Sequence, residues 1–413
     1  MKIAVIGAGI SGIAAAHGLQ REAEVTLFEA ARRLGGQSDT HAILTGGRTY
    51  RVDSGFTAFN YPACPQFSAW LAQLGVATRP SEVSFGVSNR QSGLEYGTRD
   101  MAALFCQRRN LLSPRFLNML TDLRRLHREA PTVANDDPRT LGQYLDDGGY
   151  SAGFVQDHLA PLCSAMWSLP MANVLDAPLV YALGSLVQHR LLQTGERPEW
   201  RVVDGGSSCY VAAFAQRFCG RIAIGDPVVS VARQPARVVV TSAAGAQAFD
   251  AVVFACRSDQ ALALLQHPSN AEREVLGAIR YQSNRVVVHS DPSVMPARYR
   301  AWSSWNAVVD GGREPSCCVS YWMNRLQSLG EKQQFFVTLN PAFPLADVWS
   351  ERSYARPLLT AEACRAQQRR AEINGVASTW YCGAYWGAGS HEEGFASGDR
   401  VACELRARKA RAA

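Results

Sequence analysis

The sequence predicts an α/β fold in which a Rossmann-like domain is interrupted by a second, α+β domain that contains both helices and sheet. Three observations predict this fold. A strand, a glycine-rich turn, a helix and another strand follow one another within the first 30 residues. Helical patterns dominate residues 61–200, and strand-like runs return at 221–256 and 281–345. The chain then ends on a strand, another glycine-rich turn and a helix.

The Rossmann-like pieces therefore lie at both ends of the chain and in its middle, with no low-complexity linker between them. We predict a discontinuous nucleotide domain formed by three segments and a substrate domain formed by the two segments between them. The nucleotide domain comprises residues 1–60, 200–265 and 375–413, and the substrate domain residues 61–199 and 266–374.

The composition excludes several classes of function. The net charge of +6 is spread thinly over 413 residues without a basic stripe, so we expect no nucleic-acid partner. The 11 cysteines form no C-x-x-C pair, which predicts no metal site and reduced thiols in the cytoplasm. The first residues have the pattern of a core strand where a signal peptide would lie, so we expect no signal peptide. The sequence has no run of 18 apolar residues, so we expect no membrane-spanning helix.

The first glycine-rich turn carries a dinucleotide fingerprint. Gly7, Gly9 and Gly12 form G-x-G-x-x-G directly after a strand, and Glu29 ends the next strand. Gly7 permits the turn, Gly9 lets a pyrophosphate approach the backbone, and Gly12 allows close packing of helix and strand. The start of the helix offers free N–H groups to the phosphates, and Glu29 can accept both ribose hydroxyls. Ile10, Ser11 and Ala30 flank these positions and complete the predicted contacts.

The fingerprint fits a nicotinamide or a flavin nucleotide, and the following residues discriminate between them. Glu29 is followed by Arg33, Gly35 and Gly36, which resembles the E-x-x-x-R-x-G-G segment of the amine-oxidase-like flavoproteins. In that family the segment runs along the pyrophosphate and the ribityl chain. Gln37 stands where the family often has Arg, which puts one charge-assisted phosphate contact in doubt. The resemblance implies non-covalently bound FAD.

Other segments match the same family in order and spacing. Residues 52–56 (VDSGF) stand where the family's chain returns to the flavin, and residues 205–207 (GGS) match its G-G-x segment. Residues 227–229 lie on the strand that touches the adenine in relatives, and residues 383–398 contain the second glycine turn, whose helix start points at the flavin ring in the family. The resemblance implies further cofactor contacts at Gly55, Phe56, Val228, Val229, Gly383, Glu392, Gly394 and Phe395.

Longer stretches, among them WRVVDGGSSCYV and YCGAYWGAGSHEEG, look like a bacterial subgroup of predicted NAD/FAD-binding proteins. This subgroup is similar to the flavoprotein part fused to some plant cyclopropane-fatty-acid synthases, and its members tend to accompany such lipid methyltransferases. The resemblance implies dehydrogenation (desaturation) of an unsaturated or methyl-branched fatty acyl chain. It also implies a lipid methyltransferase as a partner and peripheral contact with the inner face of the membrane.

Candidate catalytic residues cluster around the second glycine turn. Dehydrogenation by a flavin requires a group that takes the proton next to the transferred hydride. Tyr385 and Trp386 precede the turn, and His391 and Glu392 begin the last helix. A histidine with a pKa near neutral would suit proton transfer, whereas Glu392 could simply stabilise the start of the helix.

Two other functions remain open. A flavin amine oxidase commonly uses a lysine next to the flavin, but the chain has only Lys2, Lys332 and Lys409, of which Lys332 alone is a candidate. Phe395 also stands where that family has the second tyrosine of its substrate cage. The other alternative is a non-catalytic flavoprotein that assists a lipid methyltransferase.

Contact with a membrane has one candidate region. The pattern of residues 114–130 predicts an amphipathic helix next to Arg108, Arg109, Leu111 and Leu112, which could form an interfacial patch. Its predicted apolar face consists of Phe116, Leu117, Leu120, Leu123 and Leu126. An ordinary helix with a solvated arginine face is the alternative.

Overall fold

The computed structural model describes residues 1–134, 136–192, 198–310, 316–330 and 332–412. Strands β1 to β20 lie, in chain order, at Lys2–Ile6, Glu24–Glu29, Thr40–Thr45, Arg48–Asp53, Ala58–Asn60, Thr78–Ser81, Phe85–Asn89, Leu94–Gly97, Trp200–Val203, Arg221–Ile224, Val228–Gln234, Arg237–Ser242, Gly245–Phe249, Ala251–Phe254, Tyr281–His289, Trp305–Asp310, Ser316–Trp322, Phe336–Leu339, Val348–Pro357 and Thr379–Tyr381.

Helices α1 to α15 lie at Ile10–Leu19, Pro65–Gln73, Met101–Leu104, Pro114–Glu129, Leu141–Asp147, Ala152–Phe154, Ala160–Trp167, Met171–Val174, Leu179–Gln188, Ser208–Arg217, Ser258–Leu264, Asn270–Gly277, Met323–Leu326, Ala361–Gln368 and His391–Ala412. A π-helical turn, Val155–Leu159, joins α6 to α7, and short 3-10 turns include Arg108–Leu112 and Ala384–Trp386.

A five-stranded parallel sheet confirms the Rossmann-like domain. Its order is β10-β2-β1-β14-β20, so it unites strands from all three segments that the sequence assigns to this domain. The central strand β1 is buried along Ile3–Ile6 because apolar layers cover both faces of the sheet. One layer contains α1 and α15, and the other contains α11, α12 and the antiparallel strands β11-β12-β13.

Helices α1 and α15 lie against each other because glycines remove side chains from their contact. A Cβ on Gly398 would lie 2.1 Å from the carbonyl oxygen of Ser11, and a Cβ on Gly18 would lie 2.6 Å from Cβ of Ala402. Only glycine permits backbones to approach so closely. The packing brings the starts of the first and the last helix to the same edge of the sheet.

The substrate domain is built on a seven-stranded sheet of order β19-β15-β18-β17-β16-β7-β8. Neighbouring strands are antiparallel except for β7 and β16, which are parallel. Helices α4, α7 and α9 pack their apolar residues into the same core as the inner face of this sheet. The sheet and these helices therefore enclose the space in front of the nucleotide domain.

Some elements depart from the expectations. Residues 61–200 contain strands β6, β7 and β8 as well as helices, because strands of four or five residues are too short to show a clear period. Helix α2, at the start of the predicted substrate domain, packs Phe67 and Trp70 into the nucleotide-domain core.

Helix α4 buries Phe116 and Leu126 as predicted, but Leu117 is 43% exposed because it lies off the buried face. Within the described ranges, no helix combines the length and the apolar character needed to cross a bilayer.

Candidate functional site

A cleft of about 570 Å³ lies along the carboxyl edge of the parallel sheet, between the two glycine turns. We call it the dinucleotide cleft. It brings together predicted cofactor contacts that are far apart in the chain. Those that line it are Gly7, Gly9, Ile10, Ser11, Glu29, Ala30, Gly35, Gly36, Gln37, Phe56, Val228 and Gly383. Ligands of open α/β sheets bind at this edge.

The first glycine turn shapes the floor of the cleft. Gly9 precedes α1, no side chain caps the helix, and a Cβ on Gly9 would have no protein atom within 4 Å. The free amides at the start of α1 therefore face open space in which a pyrophosphate could lie. Gly12 does not line the cleft, and a Cβ there would lie 1.8 Å from the carbonyl oxygen of Gly7. Its role is the close packing that the fingerprint predicts.

Glu29 lies at the end of the cleft where the ribose is expected. Its Oε2 accepts a hydrogen bond from the N–H of Ala8 at 2.9 Å, and its Oε1 accepts one from the N–H of Ala31 at 2.8 Å. Both bonds fix the carboxylate, and each oxygen keeps a further lone pair for a ribose hydroxyl. Val228 lines this end, but Val229 is 58% exposed and lies outside the cleft, since successive strand residues point to opposite faces.

Arg33 departs from the prediction. Its guanidinium pairs with Asp39 at 3.0 Å and donates to the carbonyl oxygen of Gly36 at 2.7 Å, and it does not line the cleft. It therefore fixes the Gly35–Gly36 loop, which brings Gly36 against Gly9, since a Cβ on Gly36 would lie 3.1 Å from Cα of Gly9.

An unsatisfied polar group shows that the cleft fits a polar ligand. The hydroxyl of Tyr385, a residue that lines the cleft, is buried and has no hydrogen-bond partner among the described residues. Burial raises the pKa of Tyr385 well above its usual value, so the group stays a neutral donor. A buried hydroxyl without a partner is costly unless a ligand satisfies it. Together with the open space at Gly9 and the fixed carboxylate of Glu29, it fits a bound dinucleotide.

An apolar cavity of about 180 Å³ adjoins the dinucleotide cleft from the substrate domain. Its walls include Trp167, Leu169, Trp305, Val337 and Leu339. The residues that line both spaces are Phe56, Arg356, Pro357, Gly389, Ser390 and His391. A ligand in the apolar cavity would therefore meet the reactive end of a dinucleotide at this shared wall.

Two charged groups line the apolar cavity. Asp53 is buried, and its carboxylate accepts hydrogen bonds from Thr40, from Ser207 and from Nε2 of Gln327. Burial raises the pKa of Asp53 to about 6. Arg356 has no hydrogen-bond or ion-pair partner in the described part of the chain, and desolvation lowers its pKa. The carboxylate is thus already engaged, whereas the guanidinium is free to meet a ligand.

His391 is the predicted catalytic residue that the structure places at the shared wall. Its ring stacks on Phe56 with 3.7 Å between the centroids, and its Nε2 lies 3.2 Å from the hydroxyl of Tyr210. Tyr210 donates to Ser38 at 2.5 Å, so its oxygen accepts Nε2–H, and Nδ1 carries the free lone pair. Burial and, to a smaller extent, Arg356 lower the pKa of His391 to about 3, so the ring is neutral.

The other predicted catalytic residues do not line the apolar cavity. Glu392 accepts hydrogen bonds from the N–H groups of Gln66 at 2.9 Å and Phe67 at 3.0 Å, so it caps α2 and lines neither space. Trp386 also lines neither, and its Nε1 donates to the carbonyl oxygen of Tyr381 at 3.1 Å. Tyr385 lies in the dinucleotide cleft, where a cofactor contact is the better assignment.

The last predicted cofactor contacts are mostly packing residues. A Cβ on Gly394 would lie 3.0 Å from Cγ2 of Ile10, so this glycine holds α15 against α1, and Phe395 lies in the nucleotide-domain core. Gly55 lines the apolar cavity, where a Cβ would lie 2.0 Å from the carbonyl oxygen of Gln37. These positions shape the site without lining the cleft.

The start of α15 is capped from within the chain. The hydroxyl of Ser390 accepts from the N–H of Glu393 at 3.2 Å, and the carboxylate of Glu393 accepts from the N–H of Ser390 at 2.7 Å. This capping box orients Ser390 and His391 towards both spaces. The helix start therefore reaches the shared wall, as the second glycine turn predicts.

Sequence reasoning missed Arg356, because it lies at the end of β19 outside any motif. It also left Lys332 open, and the structure places this lysine on an exposed bend. Lys2 and Lys409 are exposed as well, so no lysine lines either space. Within the described residues, no cluster of three or more potential ligands could hold a metal ion.

Comparisons with known proteins agree with this geometry. The model of the family of flavin containing amine oxidoreductases matches residues 10–406. The structure of a CLA-producing fatty acid isomerase from P. acnes is similar, with a TM-score of 0.71 and 14% identity over 98% of both chains. The structure of cyclohexylamine oxidase from Brevibacterium oxydans IH-35A is similar as well, with a TM-score of 0.71 and 16% sequence identity over 98% of this chain and 99% of the other.

Putrescine oxidase bound to putrescine gives a TM-score of 0.71 and 13% identity, over 98% of this chain and 99% of the other. No curated protein matched the sequence. At these identities, the solved structures establish the fold and leave the substrate open.

Proposed function

Because the chain belongs to the flavin containing amine oxidoreductase family and is an FAD-dependent oxidoreductase, we propose that it dehydrogenates a fatty acyl chain. The substrate is an unsaturated or methyl-branched chain, and the product contains a new carbon–carbon double bond.

One observation carries this proposal: an apolar cavity shares its wall with the dinucleotide cleft. A chain of methylene groups gains about 0.8 kcal/mol for each CH₂ that leaves water. A cavity with side chains such as Leu169, Val337 and Leu339 gives this gain without requiring polar groups on the substrate.

The charges of the cavity argue against an amine substrate. An ammonium group favours a carboxylate without protein partners, whereas the buried carboxylate of Asp53 accepts four hydrogen bonds, from Thr40, Ser207 and Gln327. Arg356, the unpaired charged group at the shared wall, would repel a cation. Both features favour a neutral chain or an anion.

FAD, when bound, supplies the acceptor for a hydride. The protein must then take a proton from the neighbouring carbon, and Nδ1 of His391 is the group that we assign to this step. Burial and, to a smaller extent, Arg356 lower the pKa of His391 to about 3, which departs from the near-neutral value expected from the sequence. The neutral ring has a lone pair that can accept a proton, but it is a weaker base than a free histidine. The imidazolium that forms keeps its Nε2–H bond to the hydroxyl of Tyr210, which in turn donates to Ser38.

We propose that the FAD is bound without a covalent link. Among the described residues, Cys256 is the thiol that lines the cleft, and it lies beside Gly7, at the phosphate end. Cys256 does not line the apolar cavity and is not part of the shared wall. Acid precipitation of the yellow protein should leave the flavin in the supernatant, whereas flavin in the pellet would contradict this assignment.

Access to lipid substrates is part of the proposal. The 3-10 turn Arg108–Leu112 exposes Leu111 by 53% and Leu112 by 86%, next to the exposed Arg108 and Arg109. Such a patch can bind an anionic membrane surface. A lipid methyltransferase partner, which the resemblance implies, would act at the same surface, and co-purification tests it.

Anaerobic reduction of the flavin tests the function. The yellow protein is mixed with phospholipids that carry unsaturated or methyl-branched acyl chains, and the flavin absorbance is followed. We expect bleaching by these lipids but not by fully saturated, unbranched lipids or by putrescine. Bleaching by putrescine alone would establish amine oxidation, and bleaching by no lipid, with stable binding of a methyltransferase, would establish a non-catalytic role.

A further inference from the structure

A second cavity, of about 360 Å³, lies behind the apolar cavity. Leu191, Trp200 and Trp305 line both cavities, so these side chains form part of the wall between the two spaces. The rings of Trp200 and Trp305 meet edge to face, with 6.2 Å between their centroids. The second cavity therefore adjoins the apolar cavity on the side where these two tryptophans lie.

The inner part of the second cavity is apolar. Strand β7 contributes Phe85, α3 contributes Leu104, and α4 contributes Met119, Leu120 and Leu123. The partly buried Leu120 and Leu123 face the cavity, which explains why α4 has a wide apolar face although only Phe116, Met119 and Leu126 are fully buried. The lining continues the hydrocarbon character of the first cavity.

The rim of the second cavity is cationic. Arg99 is paired with Asp100 at 2.8 Å, but Arg124 and Arg190 are exposed and have no hydrogen-bond or ion-pair partner in the described part of the chain. Arg190 is the second residue after α9 and has φ of +53°, a conformation in which glycine is favoured.

We propose that the second cavity binds the anionic end of the acyl substrate. Arg124 and Arg190 contact the anionic oxygens, and the hydrocarbon chain passes Trp200 and Trp305 to reach the shared wall beside His391. This inference rests on the proposed function, since it assigns a position to the two ends of its substrate. The anion is a carboxylate in a free fatty acid or a phosphate in a phospholipid, and two guanidinium groups recognise both.

Titration of the FAD-loaded protein with oleate, methyl oleate and dioleoylphosphatidylglycerol vesicles tests the inference. The variants are Arg124→Ala and Arg190→Gly, and Arg128→Ala is the matched control, since Arg128 is exposed on the same helix but lines neither cavity. We expect each variant to weaken oleate binding about threefold to fivefold at low salt. Methyl oleate binding should not change, and Arg128→Ala should behave as the wild type.

Arg190→Gly also distinguishes a role of Arg190 in binding the anion from a role in stabilising the fold. Glycine removes the strain of the left-handed conformation, so the melting temperature should stay the same or rise while oleate binding weakens. If Arg190 were only structural, stability and binding would fall together. Equal weakening of oleate and vesicle binding identifies the shared anion chemistry, and weakening of oleate binding alone identifies a free carboxylate as the anion.

Different results would overturn the anion site and the proposed dehydrogenation. If acyl lipids bleach the wild-type flavin but oleate and methyl oleate bind equally well, or the two variants bind oleate as the wild type does, the anion site is overturned and the function stands. If oleate binds in an arginine-dependent way but no lipid bleaches the flavin, the site stands and the function is overturned. If oleate does not bind at all, the site is overturned.

Discussion

Replacement of Gly9 by alanine separates cofactor binding from folding. Gly9 has φ of −73° and ψ of −178°, which alanine adopts without strain, and the added Cβ would meet no protein atom within 4 Å. The methyl group would instead occupy the space where a pyrophosphate approaches the amides at the start of α1. Loss of one charge-assisted hydrogen bond costs about 1.5–3 kcal/mol, so FAD should bind about ten- to hundredfold more weakly.

The measurement is a titration of apoprotein with FAD, followed by quenching of the flavin fluorescence, beside thermal unfolding of the apoprotein. Gly9→Ala should unfold at the wild-type temperature. Gly184→Ala is the matched control, since its Cβ also meets nothing but lies on α9 outside the cleft, and it should bind FAD normally. Gly12→Ala should destabilise the fold itself, because its Cβ would overlap the carbonyl oxygen of Gly7. Wild-type FAD affinity in Gly9→Ala would refute the assignment of the pyrophosphate site.

Three further predictions concern the ribose, the histidine and the membrane. Glu29→Ala should weaken FAD binding by about 1.5–3 kcal/mol through the lost ribose contacts, and unchanged flavin content after dialysis would count against that site. The pKa of His391 is about 3 when folded and 6.5 when unfolded, so the unfolded state takes up its proton first as pH falls and stability is lost below pH 6.5. In denaturant titrations, the unfolding free energy of the wild type should fall by about 2 kcal/mol more between pH 7 and pH 5 than that of His391→Gln. If both proteins lost the same unfolding free energy over this range, the ring would not be buried in its neutral form. Replacement of Leu111 and Leu112 by serine should reduce co-sedimentation with anionic vesicles at least about tenfold, and equal sedimentation would place the membrane contact elsewhere.

The nucleotide domain could be predicted from sequence because its signals are local. The turn at Gly7 and Gly9 and the carboxylate of Glu29 belong to one strand–helix–strand unit, in which spacing along the chain fixes spacing in the fold. The same holds for the start of α15, where Ser390 and His391 lie one after the other. In these segments, residues that are close in the sequence are also close in the structure, so the motif predicts the geometry directly.

The substrate side depends on contacts between distant residues. Arg356 reaches the shared wall from β19, and no local pattern distinguishes it from the many other arginines. Glu392 looks like a catalytic carboxylate in the sequence, but the N–H groups that it caps lie more than 300 residues earlier, on α2. The environment of a side chain, rather than its type, decides between these roles.

An experimental structure of the yellow protein with an acyl ligand tests the central claim most directly. We expect the adenosine end of the FAD beside Glu29 and Val228, the flavin ring at the wall between Phe56, Arg356 and His391, and the acyl chain in the apolar cavity against that ring. A nucleotide bound elsewhere, or an acyl chain on the surface with the apolar cavity filled by protein side chains, would contradict the account.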